Sequence, residues 1–206
     1  MRNRGWQGEP PADDTEARER IIASAMRCID RYGPTRTGLS DVAAELGVTR
    51  QTVYRLFPST QDLFQAVSIA AAETFVDRMV ARVRDLTDPA EMLVECVAFT
   101  VERLHQERYL SLLLVRGQTN LTQQFTSAIP SDLTRALLAR LPVDWQTVGI
   151  APRHMDQLVE IYLRTLQSLV IDPEPPRSPS QTRAFLRHWL APAVNSLAQN
   201  HAPTDR

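Results

Sequence analysis

The segment GVTRQTVYRLF, residues 47–57, concentrates hydrogen-bonding side chains in one short stretch. It contains two arginines, two threonines, a glutamine and a tyrosine. Arginine and glutamine can hydrogen-bond to the edges of bases, and hydroxyl groups can hold phosphate oxygens. The same side chains would also suit the exposed face of an ordinary surface helix. The surrounding sequence must decide between a nucleic-acid-binding helix and a solvated one.

A second pattern with possible chemistry is Glu102-x-x-His105, which is half of the paired E-x-x-H motif that ligates two metal ions in helical bundles. A second E-x-x-H is missing, and His154, His188 and His201 have no metal-ligand spacing. The sequence has seven glycines and no Walker loop, G-x-S-x-G motif or glycine-rich phosphate loop. We therefore predict no enzymatic activity, no metal and no cofactor. A helical di-metal enzyme is the alternative, which metal analysis of the purified protein would test.

Composition places the 206 residues among ordinary globular proteins, with 43% apolar and 23% charged residues. The net charge is only -1, so contact with nucleic acid would depend on a local basic patch. No apolar run approaches the roughly 18 residues of a membrane span, and the N-terminus lacks the apolar core of a signal peptide. Cys28 and Cys96 lie in apolar helical patterns without CxxC spacing, which favours reduced core thiols. We expect a cytoplasmic protein with no membrane partner.

Apolar spacing predicts three helices near the N-terminus. The first follows three possible N-cap residues, Asp13, Asp14 and Thr15, and ends near Tyr32. The second covers about residues 40–46. The third is capped by Thr49 and closed by Pro58, because proline disfavours a helical conformation at the residue before it.

The rest of the chain is also predicted to be helical. Residues Ser59–Asp62 resemble a capping box at the start of a fourth helix that runs to about residue 86. Asp88 as N-cap and Pro89 at the first helical position begin the next one. Further helices are predicted at 109–116, 121–140, 153–171 and 180–199. The fold class predicted is all-α, with about nine helices and no strand.

Four segments follow from this pattern: a disordered leader over 1–14, a small helical domain over 15–60, a larger bundle over 61–199 and a tail over 200–206. In the leader, Arg2 and Arg4 could reach a minor groove, but acidic residues follow at once. We therefore favour a frayed tail over a DNA-binding arm.

The second and third helices fit a helix-turn-helix. Two short helices that cross steeply need a small residue where they touch and a glycine where the backbone turns left-handed. Ala43 and Gly47 occupy those positions. The apolar residues between the two helices are Val42, Leu46, Val53 and Leu56.

The stretch TGLSDVAAELGVTRQTVYRLFPSTQDLF, residues 37–64, resembles the N-terminal signature of the TetR-type family of transcriptional regulators. The resemblance covers about residues 15–70. It implies that the third helix lies in the major groove, with Arg50 and Gln51 facing base edges. Tyr54 would hold phosphate, and Thr60 stands where many relatives carry a lysine, which implies fewer phosphate contacts. The implied DNA-binding residues are Ser40, Thr49, Arg50, Gln51, Thr52, Tyr54, Arg55 and Thr60.

The resemblance further implies a homodimeric repressor that binds a palindromic operator in double-stranded DNA and responds to an unknown small-molecule effector. Nine residues could line an apolar cavity with a few polar groups, and ordinary core packing explains them equally well. These candidate ligand-binding residues are Met92, Cys96, Phe99, Thr100, Arg103, Tyr109, Leu113, Phe125 and Trp145.

The predicted helices at 153–171 and 180–199 are apolar on more than one side, so each needs two burial partners. Packing within one subunit explains one face, and the resemblance implies a four-helix dimer interface at the other. The candidate interface residues are Tyr162, Leu166, Leu169, Phe185, Leu186, Trp189, Leu190, Val194 and Leu197.

Overall fold

The computed structural model describes residues 5–110, 112, 128–171 and 175–199, and all regular elements in these ranges are helical. The α-helices are α1 (Asp14–Tyr32), α2 (Leu39–Leu46), α3 (Arg50–Leu56), α4 (Thr60–Val83), α5 (Pro89–Arg103), α6 (Ala128–Arg140), α7 (Pro152–Ile171) and α8 (Pro179–Gln199). The all-α class is confirmed. The predicted helix at 109–116 and the first part of that at 121–140 lie mostly outside the described residues.

The described residues divide into two compact units. The N-terminal unit contains residues 5–72 together with 108–110 and 112, and the C-terminal unit contains the remainder. The N-terminal unit therefore extends beyond the boundary at residue 60 that the sequence suggested. The reason is that Leu63, Phe64 and Val67 of α4 are buried in the same core as α1, α2 and α3.

Helix α1 provides most of one side of the N-terminal core. It begins at Asp14, where Asp13 Oδ1 accepts a hydrogen bond from the Glu16 amide at 2.9 Å and so satisfies a free N-terminal donor. It ends at Gly33, whose φ of 80° favours glycine. Helix α1 packs against α2 and α3. Its buried apolar residues recur with helical spacing: Ala17, Ile21, Ala25, Cys28 and Ile29.

The turn between α2 and α3 has the left-handed backbone conformation that the sequence predicted at Gly47. Gly47 has φ 68° and ψ 25°, which is the left-handed region. The Val48 amide donates to the Ala43 carbonyl at 3.0 Å, and this closes the end of α2. Thr49 then caps α3 by accepting from the Thr52 amide at 3.2 Å. Three residues therefore connect the two helices of a helix-turn-helix.

The leader differs from the expected disordered segment over residues 5–13. Trp6 is partly buried and packs on the N-terminal core. The Gln7 side-chain amide donates to the Glu45 carbonyl at 3.5 Å, and Arg20 donates to the Glu9 carbonyl at 2.5 Å. Burial of the apolar indole surface of Trp6 stabilises this contact. The Pro- and Asp-rich composition of the leader did not indicate it.

Helix α5 is the centre of the C-terminal unit and packs against α7 and α8, while α6 packs on α7. Asp88 caps α5 by accepting from the Ala90 amide at 2.9 Å, and Pro89 occupies the first helical position, both as predicted. Arg183 of α8 holds Glu95 and Glu102 of α5 by ion pairs. Among the described residues, no helix is both long enough and apolar enough to span a membrane.

Candidate nucleic-acid interface

Helix α3 buries one face and exposes the other. Val53 and Leu56 are buried in the N-terminal core, which fixes the rotation of the helix about its own axis. Arg50, Gln51 and Tyr54 are exposed, and Tyr54 retains 41% of its accessible surface. Packing against the described residues does not require a tyrosine at so exposed a position. The face of α3 opposite the core therefore carries exposed hydrogen-bond donors and acceptors.

Arg50 and Tyr54 form a pair one helical turn apart on this face. Arg50 Nη2 donates to the Tyr54 hydroxyl at 3.3 Å, and the guanidinium carbon lies 5.1 Å from the ring centroid. The ring therefore limits the conformations of the arginine while leaving most of its donors free. A guanidinium oriented in this way loses less entropy when it binds a base edge or a phosphate.

The remaining predicted contacts surround α3. Thr49 and Thr52 share a hydrogen bond between their hydroxyls at 2.9 Å, so both lie at the N-terminal end of the helix beside Arg50. Ser40 is exposed in the first turn of α2. Thr60 is half-buried at the start of α4, next to the capping residue Ser59.

Arg55 has a partner that the sequence analysis missed. Its Nη1 and Nη2 donate to Asp14 Oδ2 and Oδ1 at 2.8 and 2.7 Å, a bidentate ion pair. The hydrogen bond from Arg55 lowers the pKa of Asp14 below its usual value. Asp14 is 41 residues away in the chain and suggested only a helix cap, so no local signal pointed to this pair.

Three of the candidate ligand residues meet in the interior of the C-terminal unit. Met92, Cys96 and Thr100 of α5 are buried, and the Thr100 hydroxyl contacts Met79 Sδ of α4 at 3.4 Å. Burial raises the pKa of the Cys96 thiol to about 12. These positions form an apolar interior with one hydroxyl.

Phe99, Arg103 and Trp145 lie nearer the surface of the same unit. The Phe99 ring stacks on Phe75 with centroids 5.3 Å apart, and Arg103 is exposed and donates to Gln106 at 3.2 Å. Trp145 Nε1 donates to the Leu138 carbonyl at 2.9 Å. Leu113 and Phe125 are outside the described residues.

Tyr109 belongs to the N-terminal unit instead. Its hydroxyl donates to Asp30 Oδ2 at 2.6 Å, and its carbonyl accepts from the buried Ser68 at 3.0 Å. Burial and the hydrogen bond to Asp30 raise the pKa of Tyr109 to about 12. Tyr109 therefore belongs to a different unit from the other described ligand candidates.

The candidate dimer residues divide into two groups. Phe185 and Leu197 are half-buried in the chain, and Trp189 is 65% exposed. The other residues are buried within the single chain: Tyr162, Leu166, Leu169, Leu186, Leu190 and Val194. The two apolar sides of α8 thus have different surroundings, and Trp189 marks the one that the described residues leave uncovered.

Tyr162, which was predicted at the dimer interface, is buried within its own chain. It lies in the interior beside Cys96 and Thr100, with 3% of its surface exposed. Burial and the nearby Cys96 raise the pKa of its hydroxyl, while a hydrogen bond with Thr100 opposes the rise. The spacing of apolar residues predicts which side chains are buried, but not whether they pack against their own chain or against a partner subunit.

The Glu102-x-x-His105 pattern does not assemble into a metal site within the described part of the chain. The Glu102 carboxylate accepts from Arg183, and no group of three His, Cys, Asp or Glu side chains converges there.

The sequence of the helix-turn-helix has a known counterpart. Residues 21–67 match the family model described as bacterial regulatory proteins, tetR family. An uncharacterized HTH-type transcriptional regulator of Mycobacterium tuberculosis is 23% identical over 180 residues, which are 86% of this chain and 85% of that protein.

The fold is similar to that of solved regulators. The TetR family repressor AlkX of a Dietzia species aligns with a TM-score of 0.63 and 18% identity, over 91% of this chain and all of that one. RolR in complex with resorcinol aligns with a TM-score of 0.63 and 17% identity, over 90% and 94% of the two chains.

These matches agree with the geometry of α2, the turn at Gly47 and α3. The resemblance inferred from residues 37–64 is confirmed by the family model and by relatives that are HTH-type regulators. Residues 21–67 therefore carry the helix-turn-helix of the TetR-type family of transcriptional regulators, and the fold is similar to that of a TetR family repressor.

Proposed function

We propose that this regulator is a repressor that binds a palindromic operator as a homodimer and releases it when a small apolar or amphipathic molecule binds the C-terminal unit. The observation that supports it most is the setting of α3. Val53 and Leu56 anchor one face in the core, and the opposite face presents Arg50, Gln51 and Tyr54.

Base recognition falls to the first turn of α3. Arg50 pairs bidentately with O6 and N7 of a guanine, and the Gln51 amide pairs with N6 and N7 of an adenine. Phosphate contacts fix the position of the helix on the duplex without reading the sequence. The hydroxyls available for them belong to Ser40, Thr49, Thr52, Tyr54 and Thr60.

Selection of DNA fragments by the purified protein tests this assignment. The selected sites should form a near-palindrome whose half-sites lie about 34 to 36 Å apart or at multiples of that distance. Arg50→Ala should cost about 1 to 3 kcal/mol on the selected operator and relax the base preference at one position in each half-site. Arg31→Ala, at the exposed end of α1, is the control and should change neither. Equal losses on operator and random DNA for Arg50→Ala would contradict the role of Arg50.

The ligand site proposed is the interior around Cys96, Thr100 and Tyr162. Apolar residues surround these three on α5 and α7, and the hydroxyls of Thr100 and Tyr162 supply a polar end. Such a site suits a molecule with an apolar body and one hydrogen-bonding group. RolR has been solved with resorcinol, and AlkX is implicated in biodegradation of n-alkanes, so phenols and alkyl chains are the classes to test first.

A thermal-shift screen of these classes would identify a ligand. Tyr162→Phe keeps the volume of the ring and removes its hydroxyl, so a phenol should bind this variant more weakly by about 0.5 to 1.5 kcal/mol. Tyr32→Phe, the same change at the exposed end of α1, is the control. A ligand that binds both variants as it binds the natural protein does not occupy this interior.

A further inference from the structure

Asp14 and Arg55 connect the first residue of α1 to the last turn of α3. Both terminal guanidinium nitrogens of Arg55 donate to the Asp14 carboxylate, at 2.8 and 2.7 Å. The side chains of Arg55 and Asp14 are 59% and 62% exposed. The pair therefore lies at the surface of the helix-turn-helix and is not part of its core.

Arg55 occupies a position that would otherwise face DNA. It lies four residues after Gln51, so the two side chains share one face of α3. Residues 40–60 contain only two basic residues, Arg50 and Arg55. Asp14 therefore neutralises half of the positive charge in this segment.

A neighbouring arginine of α1 is also engaged. Arg18 lies one turn after Asp14, donates to the Leu56 carbonyl at 2.6 Å and stacks over the Phe57 ring at 4.3 Å. Helix α1 thus stabilises the end of α3 through Arg18, and this contact does not need Asp14. The acidic residue has no comparable structural requirement, since exposed ion pairs add little stability.

We propose that Asp14 withholds Arg55 from the DNA backbone and so limits the affinity of the regulator for DNA of any sequence. The inference rests on the proposed placement of α3 in the major groove. The pair is exposed, so a DNA phosphate can approach Arg55. To bind Arg55, the phosphate must displace the Asp14 carboxylate, which already contacts both terminal guanidinium nitrogens. Sequence preference remains with Arg50 and Gln51.

The test measures binding to random DNA and to the selected operator as a function of salt concentration. Asp14→Asn should tighten binding of the dimer to random DNA by about 2- to 30-fold, as expected from one exposed pair on each recognition helix. The slope of log affinity against log salt should become steeper by about 1.8, since two further phosphates are contacted. The order of preference among operator sequences should not change.

A double-mutant cycle isolates the role of Arg55. In the Arg55→Gln background, Asp14→Asn should have no effect on affinity or on the slope. Asp13→Asn is the matched control, because it removes the same charge one residue earlier and asparagine caps a helix as well as aspartate does. Thermal unfolding of each variant establishes that it is folded.

Three results would overturn the inference. One is an unchanged affinity of Asp14→Asn for random DNA, the second is a gain that persists without Arg55, and the third is an equal gain for Asp13→Asn. The last two would show that the charge acts at a distance and not through the pair. If the proposed function itself is wrong, the DNA fragments selected by the natural protein will share no consensus sequence, and this outcome differs from all three.

Discussion

Tyr54 combines two roles that single substitutions can separate. Its ring lies beside the Arg50 guanidinium, and its exposed hydroxyl accepts a hydrogen bond from Arg50 and is proposed to contact phosphate. Tyr54→Phe keeps the ring and removes the hydroxyl. We expect operator and random DNA to bind more weakly by the same amount, about 0.5 to 1.5 kcal/mol, because a phosphate contact carries no sequence information.

Fluorescence titration on both DNAs measures this effect. Tyr32→Phe is the matched control, since Tyr32 is also exposed, at 44%, but lies at the end of α1. It should bind both DNAs as the natural protein does. A loss confined to the operator would instead show that the hydroxyl serves base recognition, directly or through its hydrogen bond from Arg50.

At the scale of residues, the sequence predicted contacts between residues that are close together in the chain. The caps at Thr49 and Asp88 are confirmed, and Asp13 is the one of three candidates that caps α1, because a cap needs a side-chain oxygen and an amide two or three residues away. The Arg55–Asp14 pair and the packing of Trp6 were missed. Each of these joins residues that are distant in sequence, and the folded chain alone brings them together.

At the scale of elements, the turn between α2 and α3 depends on Gly47. With φ at 68°, any residue with a Cβ atom is strained there. Gly47→Ala should lower the free energy of unfolding by about 1 kcal/mol or more. Because α3 begins three residues later, its orientation should change as well, and DNA affinity should fall by more than the loss of folded protein explains.

Gly38→Ser provides the comparison for this prediction. Gly38 caps α2 with φ at -134°, an extended conformation open to every residue, and serine is a favourable cap. Chemical denaturation should show equal or greater stability for Gly38→Ser and a clear loss for Gly47→Ala. Similar stabilities for the two variants would mean that the left-handed conformation is not required.

The contact between α5 and α8 should make stability depend on pH. Hydrogen bonds from Arg183 lower the pKa of Glu95, against an opposing effect of burial, and Arg82 lowers it further. A carboxyl with a lowered pKa in the folded state stabilises the protein above the pKa of the unfolded chain, and this contribution is lost as the pH falls through the folded value. Glu95→Gln should therefore lower stability at pH 7 by about 1 to 3 kcal/mol.

Thermal unfolding between pH 7 and pH 3 measures this dependence. Below about pH 4.5 the natural protein should lose stability more steeply than Glu95→Gln, so the two curves converge. Glu91→Gln is the control, because its pair with Arg187 is more exposed and contributes little. Parallel curves for the natural protein and Glu95→Gln would exclude the network as a source of the acid sensitivity.

At the scale of the whole molecule, the exposed stripe of α8 predicts the dimer. The sequence suggested Trp189 and Leu190 together, but Leu190 is 3% exposed within the chain and a charge there would disrupt the fold itself. Trp189→Glu is the informative change, because it alters the uncovered stripe alone. We expect monomers by light scattering, with loss of operator binding, since one half-site contributes too few contacts.

Ala184→Glu is the control for charge on α8. Ala184 is exposed, and its separation of five positions from Trp189 turns it away from that stripe. It should remain dimeric with unchanged DNA affinity. A natural protein that is monomeric at micromolar concentration would contradict the proposal directly.

Ligand and operator should affect each other by the same factor. A ligand releases DNA only if it binds the DNA-free conformation more tightly, and a coupling of about 1 to 3 kcal/mol would weaken operator affinity about 5- to 150-fold. Helix α4 offers the route, since it contributes Leu63, Phe64 and Val67 to the N-terminal core and Phe75 and Met79 to the C-terminal unit. A small shift of the C-terminal turns of α4 would tilt α3 in each subunit and change the separation of the two recognition helices. The spacing of the half-sites on the duplex is fixed, so the operator cannot adjust to that change.

Titration of a ligand found by the thermal-shift screen, first into free protein and then into the operator complex, measures this coupling. The dissociation constant should rise in the complex by the factor by which the ligand weakens operator binding, because the two factors belong to one thermodynamic cycle. Thr100→Trp fills the interior beside Cys96 and Tyr162 and should either mimic the ligand or block its effect. Identical dissociation constants in the two titrations would mean that the C-terminal unit holds the dimer together and does not sense that ligand.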